Sequence, residues 1–229
     1  MKVDVKEFLK PCSCGRKHEI VVDDMIIESG AVSKLPEILS RDAYKKFQNI
    51  VMICDENTYE AAGKTVERLV PGLKKAVLDP ENLHANEHGV EAAQKYLDQM
   101  GELDLMIAVG SGTIHDISRY HAYEKKIPFF SVPTAASVDG FVSTVAAMTW
   151  HGFKKSFTAV SPIVVIADTD IFSRAPMRLT ASGAADLLGK YTALADWKIT
   201  HLLNGESICS RICSMEYEAL DNLKNHWKG

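Results

Sequence analysis

Two glycines, a serine and a threonine separate an apolar run from a helix-forming segment in Leu105-Met106-Ile107-Ala108-Val109-Gly110-Ser111-Gly112-Thr113-Ile114-His115-Asp116. Residue types in this order can hold an anion. Glycine lets backbone N–H groups approach phosphate oxygens closely, and a following helix N-terminus adds partial positive charge. Thr113 adds a hydroxyl or caps the helix. The spacing departs from the Gly-x-Gly-x-x-Gly dinucleotide pattern, because His115 stands where the third glycine would be. A tight strand-to-helix turn would use the same glycines, but the strand–loop–helix order favours a nucleotide.

Asp55 closes a second apolar run, Ile50-Val51-Met52-Ile53-Cys54. A carboxylate there can accept hydrogen bonds from both hydroxyls of an adenosine ribose, and it repels a 2′-phosphate. It would equally cap a helix begun by Glu56-Asn57-Thr58. A third loop, Pro133-Thr134-Ala135-Ala136-Ser137-Val138-Asp139-Gly140, crowds small and hydroxylated residues after another apolar run. Thr134 and Ser137 offer hydrogen bonds to a nucleotide. Asp139 offers an acceptor to substrate hydroxyls, or simply makes a turn with Gly140.

Asp186 sits among small residues in Ser182-Gly183-Ala184-Ala185-Asp186-Leu187-Leu188. A carboxylate on such a helix surface is unfavourable unless it meets water, a cation or a metal. No histidine follows at three or four residues, so no local metal pair forms, and Asp196 and His201 read as polar surface positions. Cys12-Ser13-Cys14 with His18 has a metal-type spacing. It supplies only three ligands, and a Cys-x-Cys pair is strained around tetrahedral zinc, so the residues alone do not favour a zinc site.

Elements that would position these groups follow from hydrophobic period. Strands are predicted over 25–28, 50–54, 75–78, 105–109, 129–132 and 163–167, and helices over 33–39, 58–69, 87–100 and 114–124. Alternation of this kind makes an α/β fold with a Rossmann-like, mostly parallel sheet. From about residue 173 the apolar residues fall at helical spacing and no strand follows. The expected division is therefore an N-terminal nucleotide-binding domain, 1–172, and the beginning of an all-helical domain, 173–229. The last amphipathic segment, 217–227, lacks an obvious cap, so the chain is expected to be truncated within that domain.

The bulk composition narrows the class. The 229 residues are 46% hydrophobic and 24% charged, which suits a packed globular protein. A formal net charge of −4 offers no general attraction to nucleic acid or anionic membrane, so neither is an expected partner. Five scattered cysteines do not form a secretory disulfide framework, and a cytoplasmic setting is expected. Lys154 and Lys155, expected to follow a β-hairpin, have the charge to meet a phosphate but read as solvated surface.

Taken in order, four segments resemble the glycerol-1-phosphate dehydrogenase branch of the iron-alcohol-dehydrogenase and dehydroquinate-synthase superfamily. They are Cys12-Ser13-Cys14-Gly15-Arg16-Lys17-His18, residues 110–116, residues 133–140 with Phe141-Val142-Ser143, and residues 182–190. The nearest match is the bacterial form first noted beside arabinose-utilisation genes. The likeness spans nearly the whole chain. It implies NAD(P) bound by the N-terminal domain and one divalent metal, zinc or nickel, bound by the helical domain. Gly110, Ser111, Gly112, Thr113, Ile114, His115 and Asp116 would hold the pyrophosphate. Asp55 would hold the adenosine ribose, and Thr134, Ser137 and Ser143 other parts of the cofactor. Asp139 and Asp186 would be the catalytic, substrate-contacting residues, with Asp186 also ligating the metal.

The implied reaction reduces dihydroxyacetone phosphate to sn-glycerol 1-phosphate, a glycerol-lipid precursor, in a homodimer. Metal polarises the carbonyl and nicotinamide supplies hydride. One departure matters: the family's two histidine ligands would lie beyond residue 229, so this chain alone is expected to be inactive. Glycerol dehydrogenase, dehydroquinate synthase and a non-catalytic nucleotide-binding module are the alternatives.

Overall fold

The computed structural model describes residues 4–226. Trp227, the end of the segment predicted to be amphipathic, lies outside them. Six strands form one wholly parallel sheet: β1 (Asp24–Glu28), β2 (Ile50–Asp55), β3 (Lys74–Leu78), β4 (Leu105–Gly110), β5 (Phe129–Pro133) and β8 (Val164–Asp168), in the order β1-β8-β5-β4-β2-β3. All six predicted strands are present. Between β5 and β8 an antiparallel hairpin, β6 (Val145–Trp150) and β7 (Phe153–Thr158), stands apart from the sheet. His151 (φ 50°) and Gly152 (φ 81°) make its two-residue turn, which needs positive φ at both positions. Lys154 and Lys155 lie inside β7 rather than after the hairpin.

Parallel strands covered on both faces must be apolar at nearly every position. β4 accordingly buries all six residues. Along β2 the pleat sends Ile50, Met52 and Cys54 to one layer and Val51 and Ile53 to the other. The first layer holds α1 (Leu35–Leu39) and, after the short α2 (Glu56–Thr58), which buries no residue, α3 (Lys64–Leu69). A π turn, Tyr59–Gly63, joins the last two, where the sequence suggested one continuous helix. The second layer holds α4 (Glu87–Leu97) and α5 (Gly112–Lys125). Each large side chain buried this way contributes roughly 1.5–3 kcal/mol.

After β8 comes α6 (Thr169–Phe172), and then, among the described residues, only helices follow: α7 (Met177–Leu188), α8 (Lys190–Asn204) and α9 (Ser210–His226). They share a small core of their own, in which Leu194, Cys213 and Leu220 pack with Trp197 and Tyr217. Gly205, at φ 69°, closes α8 in the left-handed conformation that glycine takes without strain. Among the described residues no helix is long and apolar enough to cross a membrane.

Candidate functional site

β2 and β4 are neighbours, yet the chain leaves β2 toward β3 on one side and leaves β4 toward β5 on the other. At such a switch point the loops after the two strands diverge and leave a crevice at their carboxyl ends. Asp55 ends β2, Gly110 ends β4 and Pro133 ends β5. The Thr134 N–H donates to the Gly110 carbonyl at 3.0 Å, which ties the third loop to the glycine loop. α5 begins in the crevice with Ser111 as its N-cap, without a side-chain cap bond and without an acidic residue in its first turn. Its orphan N–H groups and positive dipole end therefore face the opening, an arrangement that favours an anion.

The two glycines of that loop serve different ends. A Cβ on Gly110 would lie 2.6 Å from the Ile114 Cβ, so close packing of α5 on β4 demands glycine there. A Cβ on Gly112 would meet nothing nearer than Val138, at 3.4 Å. The interior does not require glycine at 112, so the space it leaves is available to a ligand.

A cleft of about 830 Å³ opens on one side of the α5 N-terminus, lined by Asp55, Thr58, Ser111, Thr113 and Thr134 together with Arg174 and Arg178. The cap reading of Asp55 is realised: Oδ1 accepts the Thr58 N–H at 2.8 Å in a capping box. Its other oxygen has no hydrogen-bond partner among the described residues and remains available to a ribose.

A smaller cleft, about 320 Å³, opens on the other side, with Gly112, Asp116, Asp139, Ser143, Lys154 and Asp186 in its wall. The Asp139 N–H donates to Asp186 Oδ2 at 2.9 Å, and Lys190 Nζ sits 2.5 Å from Asp139 Oδ2. That ion pair raises the Lys190 pKa. α7 reaches this loop only because residue 183 is glycine, since a Cβ there would lie 1.9 Å from the Ala136 carbonyl oxygen. Ser143 Oγ is held within its own turn, 3.1 Å from both the N and the O of Val145. Asp116 is half-buried, and burial raises its pKa against the opposing pull of Arg119, 3.8 Å away.

Arg119 is buried and binds three carbonyls with its two terminal nitrogens: Val145 at 2.9 Å, Gly140 at 2.7 Å and Phe141 at 3.1 Å. One guanidinium thus holds the loop carrying Asp139 and Ser143. Nothing in the sequence marked Arg119, Gly183 or Lys190 individually, because their partners lie in distant segments.

The side chains of three residues expected to contact the cofactor are buried, which leaves the backbone as what Ile114 and His115 can offer a ligand. Ile114 is fully buried in the core beneath α5, and Ser137 is buried and lines neither cleft. His115 is buried with both ring nitrogens engaged: Nδ1 lies 3.0 Å from the Ser111 carbonyl and Nε2 2.7 Å from Ser131 Oγ. The carbonyl can only accept, so Nδ1 carries the proton and Nε2 accepts from the serine. Burial pushes this imidazole down to about 3, which keeps it neutral. His115 thereby pins the glycine loop to β5 and leaves no nitrogen for a ligand.

A single carboxylate does not make a catalytic metal site, which takes about three protein ligands. Asp186 offers its carboxylate, but among the described residues no group of three or more metal-type side chains surrounds it. The residues present therefore do not by themselves fit the metal that the resemblance implies.

The sequence profile of the iron-containing alcohol dehydrogenases matches residues 26–176. The chain belongs to that family. The matched span contains the sheet, but for the first two residues of β1, and the glycine loop, and it stops before Asp186. This family member is 36% identical to a glycerol-1-phosphate dehydrogenase [NAD(P)+] of Halalkalibacterium halodurans, over 96% of the chain and 56% of the relative. It is 41% identical to the protein of that name from Bacillus licheniformis, over 95% of the chain and 55% of the relative. The chain thus spans about half the length of the curated relatives it matches. A glycerol dehydrogenase structure from Schizosaccharomyces pombe superposes with a TM-score of 0.62 at 22% identity, covering 73% of this chain and 42% of that one. That likeness concerns the fold.

Proposed function

We propose that this chain is the dinucleotide-binding part of an enzyme that reduces dihydroxyacetone phosphate to sn-glycerol 1-phosphate with NAD(P)H. The observation that carries the reading is the uncapped N-terminus of α5, opening between a cleft with Asp55 and a cleft with Asp139 and Asp186. The activity for which the two bacterial relatives are named supports the substrate. In this reading the adenosine ribose meets Asp55, and the pyrophosphate meets Ser111, Gly112, Thr113 and the first turn of α5. Thr134 and Ser143 would hold the nicotinamide end of the cofactor. When bound, it supplies the hydride.

The chain's own residues orient the substrate in the smaller cleft. Asp139 and Asp186 accept from its hydroxyl and from the second one formed on reduction, and Lys154 is a cation in the same wall for its phosphate. Arg119 and Lys190 keep the two carboxylates in register. Asp186 would supply one ligand of a nickel or zinc site, whose remaining ligands are not among the described residues. The partner we infer is a second copy of the chain, as in the family resemblance.

A non-catalytic nucleotide-binding role is the second reading, favoured by the lone carboxylate at Asp186. Titration calorimetry and turnover assays separate the two. The 229-residue chain should bind NADH without reducing dihydroxyacetone phosphate, with or without added nickel or zinc. Extended to the length of its relatives, it should reduce that substrate, and Asp186→Asn should abolish turnover while leaving NADH binding intact. Metal-dependent turnover by residues 1–229 would show that the ligand count is wrong, and an inactive extended protein that binds NADH would establish the second reading. In folded Gly112→Val, whose added Cβ would just touch Val138, NADH affinity should weaken at least tenfold, about 1.4 kcal/mol. Unchanged affinity would remove the glycine loop from the site.

A further inference from the structure

Three thiols and an imidazole meet where the N-terminal segment lies against the helical region. Cys12, Cys14, His18 and Cys209 each direct one ligand atom inward, and the four atoms lie within 4.8 Å of one another. Cys14 Sγ is 3.4 Å from His18 Nε2, Cys12 Sγ is 3.5 Å from Cys209 Sγ, and Cys209 Sγ is 3.7 Å from His18 Nε2. A tetrahedral zinc with Zn–S near ~2.3 Å and Zn–N near ~2.0 Å sets S···S at roughly 3.8 Å and S···N at roughly 3.5 Å. The spacing is that of a ligand set ready to surround an ion.

Local backbone geometry produces the set. The Gly15 N–H donates to the Cys12 carbonyl at 3.1 Å, closing a turn. Gly15 itself stands at φ 74° with nothing near its missing Cβ, so conformation and not crowding asks for glycine. This turn brings the two thiols of the Cys-x-Cys pair to one side, which relieves the strain that spacing alone suggests. Cys209 is buried and directly precedes α9, so its place is fixed by the packing of that helix.

Little else holds the described part of the N-terminal segment, in which no residue from 4 to 21 is buried. Its 3-10 turn, Val5–Leu9, buries no residue, and Leu9 and Val21 are each 53% exposed. Beyond the cluster it meets α9 through Arg211, which donates to the carbonyls of Lys10 and Pro11, and through Ser13, 3.3 Å from Ser210.

We propose that Cys12, Cys14, His18 and Cys209 form a closed tetrahedral site for a thiophilic divalent cation, zinc by ligand chemistry, which fastens the N-terminal segment to the helical region. Four protein ligands leave no open position, so the site is structural. It is separate from Asp186 and independent of the proposed reaction.

The test is metal content and native mass of the chain purified without chelator. About one zinc per chain is expected, since binding to such sites is tight at neutral pH. Cys14→Ser and Cys209→Ser should each lose it, whereas Cys54→Ser, Cys213→Ser and Asp186→Asn should keep it. Cobalt loading of the unaltered chain should give the thiolate charge-transfer and intense d–d absorption of tetrahedral coordination, a readout that does not depend on any variant folding. Background zinc with no such cobalt spectrum, full zinc in Cys209→Ser, or a Cys12–Cys209 disulfide on peptide mapping would each overturn the assignment.

Discussion

Replacing Gly183 with alanine sets two effects of opposite sign against each other. Residue 183 lies inside α7, where alanine is favoured over glycine by roughly 1 kcal/mol. The added Cβ, however, would lie 1.9 Å from the Ala136 carbonyl oxygen and 2.8 Å from its carbon. Non-bonded carbon and oxygen settle at roughly 3.3–3.6 Å, so helix and loop must separate by about 1.4–1.7 Å. The obstacle is backbone, which cannot swing aside as a long side chain would. A shift of that size breaks the 2.9 Å bond from the Asp139 N–H to Asp186 Oδ2. Hydrogen bonds to charged groups contribute roughly 1.5–3 kcal/mol, and partial exposure here argues for the low end. Lost packing between α7 and the loop adds to that. Clash should win, leaving Gly183→Ala less stable by about 1 kcal/mol or more. In urea, with a slope of roughly 2–3 kcal/mol/M, the midpoint should fall by about 0.3–0.5 M. A midpoint unchanged or raised would refute the claim that glycine is needed for helix–loop approach.

Two more outcomes follow from the same geometry. Asp55→Ser keeps an N-cap of equal rank but removes the charge, so stability should hold while NADH affinity falls more than NADPH affinity. Arg174 and Arg178 line that cleft and favour a 2′-phosphate once the carboxylate is gone, and calorimetry showing equal losses would confine Asp55 to capping. For His115, burial moves the pKa from 6.5 to about 3, so below pH 6.5 the unfolded chain takes up a proton that the folded chain refuses. Stability from this group is complete above pH 6.5 and drains as pH falls toward 3, by at most about 1.4 kcal/mol per unit. His121, lowered to about 4 by burial, adds to the same trend. Urea midpoints between pH 7.5 and 5 should therefore fall, less steeply in His115→Gln, and parallel profiles would place the titration elsewhere.

Periodicity made the sheet legible. A strand buried on both faces cannot hide its composition, and the all-apolar run of β4 declared itself together with the glycines that end it. The helical character after residue 173 was equally plain from spacing. Strand order was not legible. The placement of β4 beside β2 brings Asp55 and Ser111 to one cleft, and that neighbourhood depends on crossovers that no local pattern encodes.

The chemistry divides the same way. Sequence alone determined the anion-type loop, the carboxylates at 55, 139 and 186, and a three-ligand Cys-x-Cys motif, because residue type and short-range spacing are properties of a segment. Only the tertiary structure decided that His115 faces inward to Ser131, that Arg119 clasps the loop before β6, that Asp186 meets the Asp139 backbone, and that Cys209 completes the thiol cluster. Cys209 and His18 are 191 positions apart in the chain. A contact at that separation forms only when the packing of whole elements repays the entropy of closing so long a loop, and single-sequence spacing carries no record of that packing.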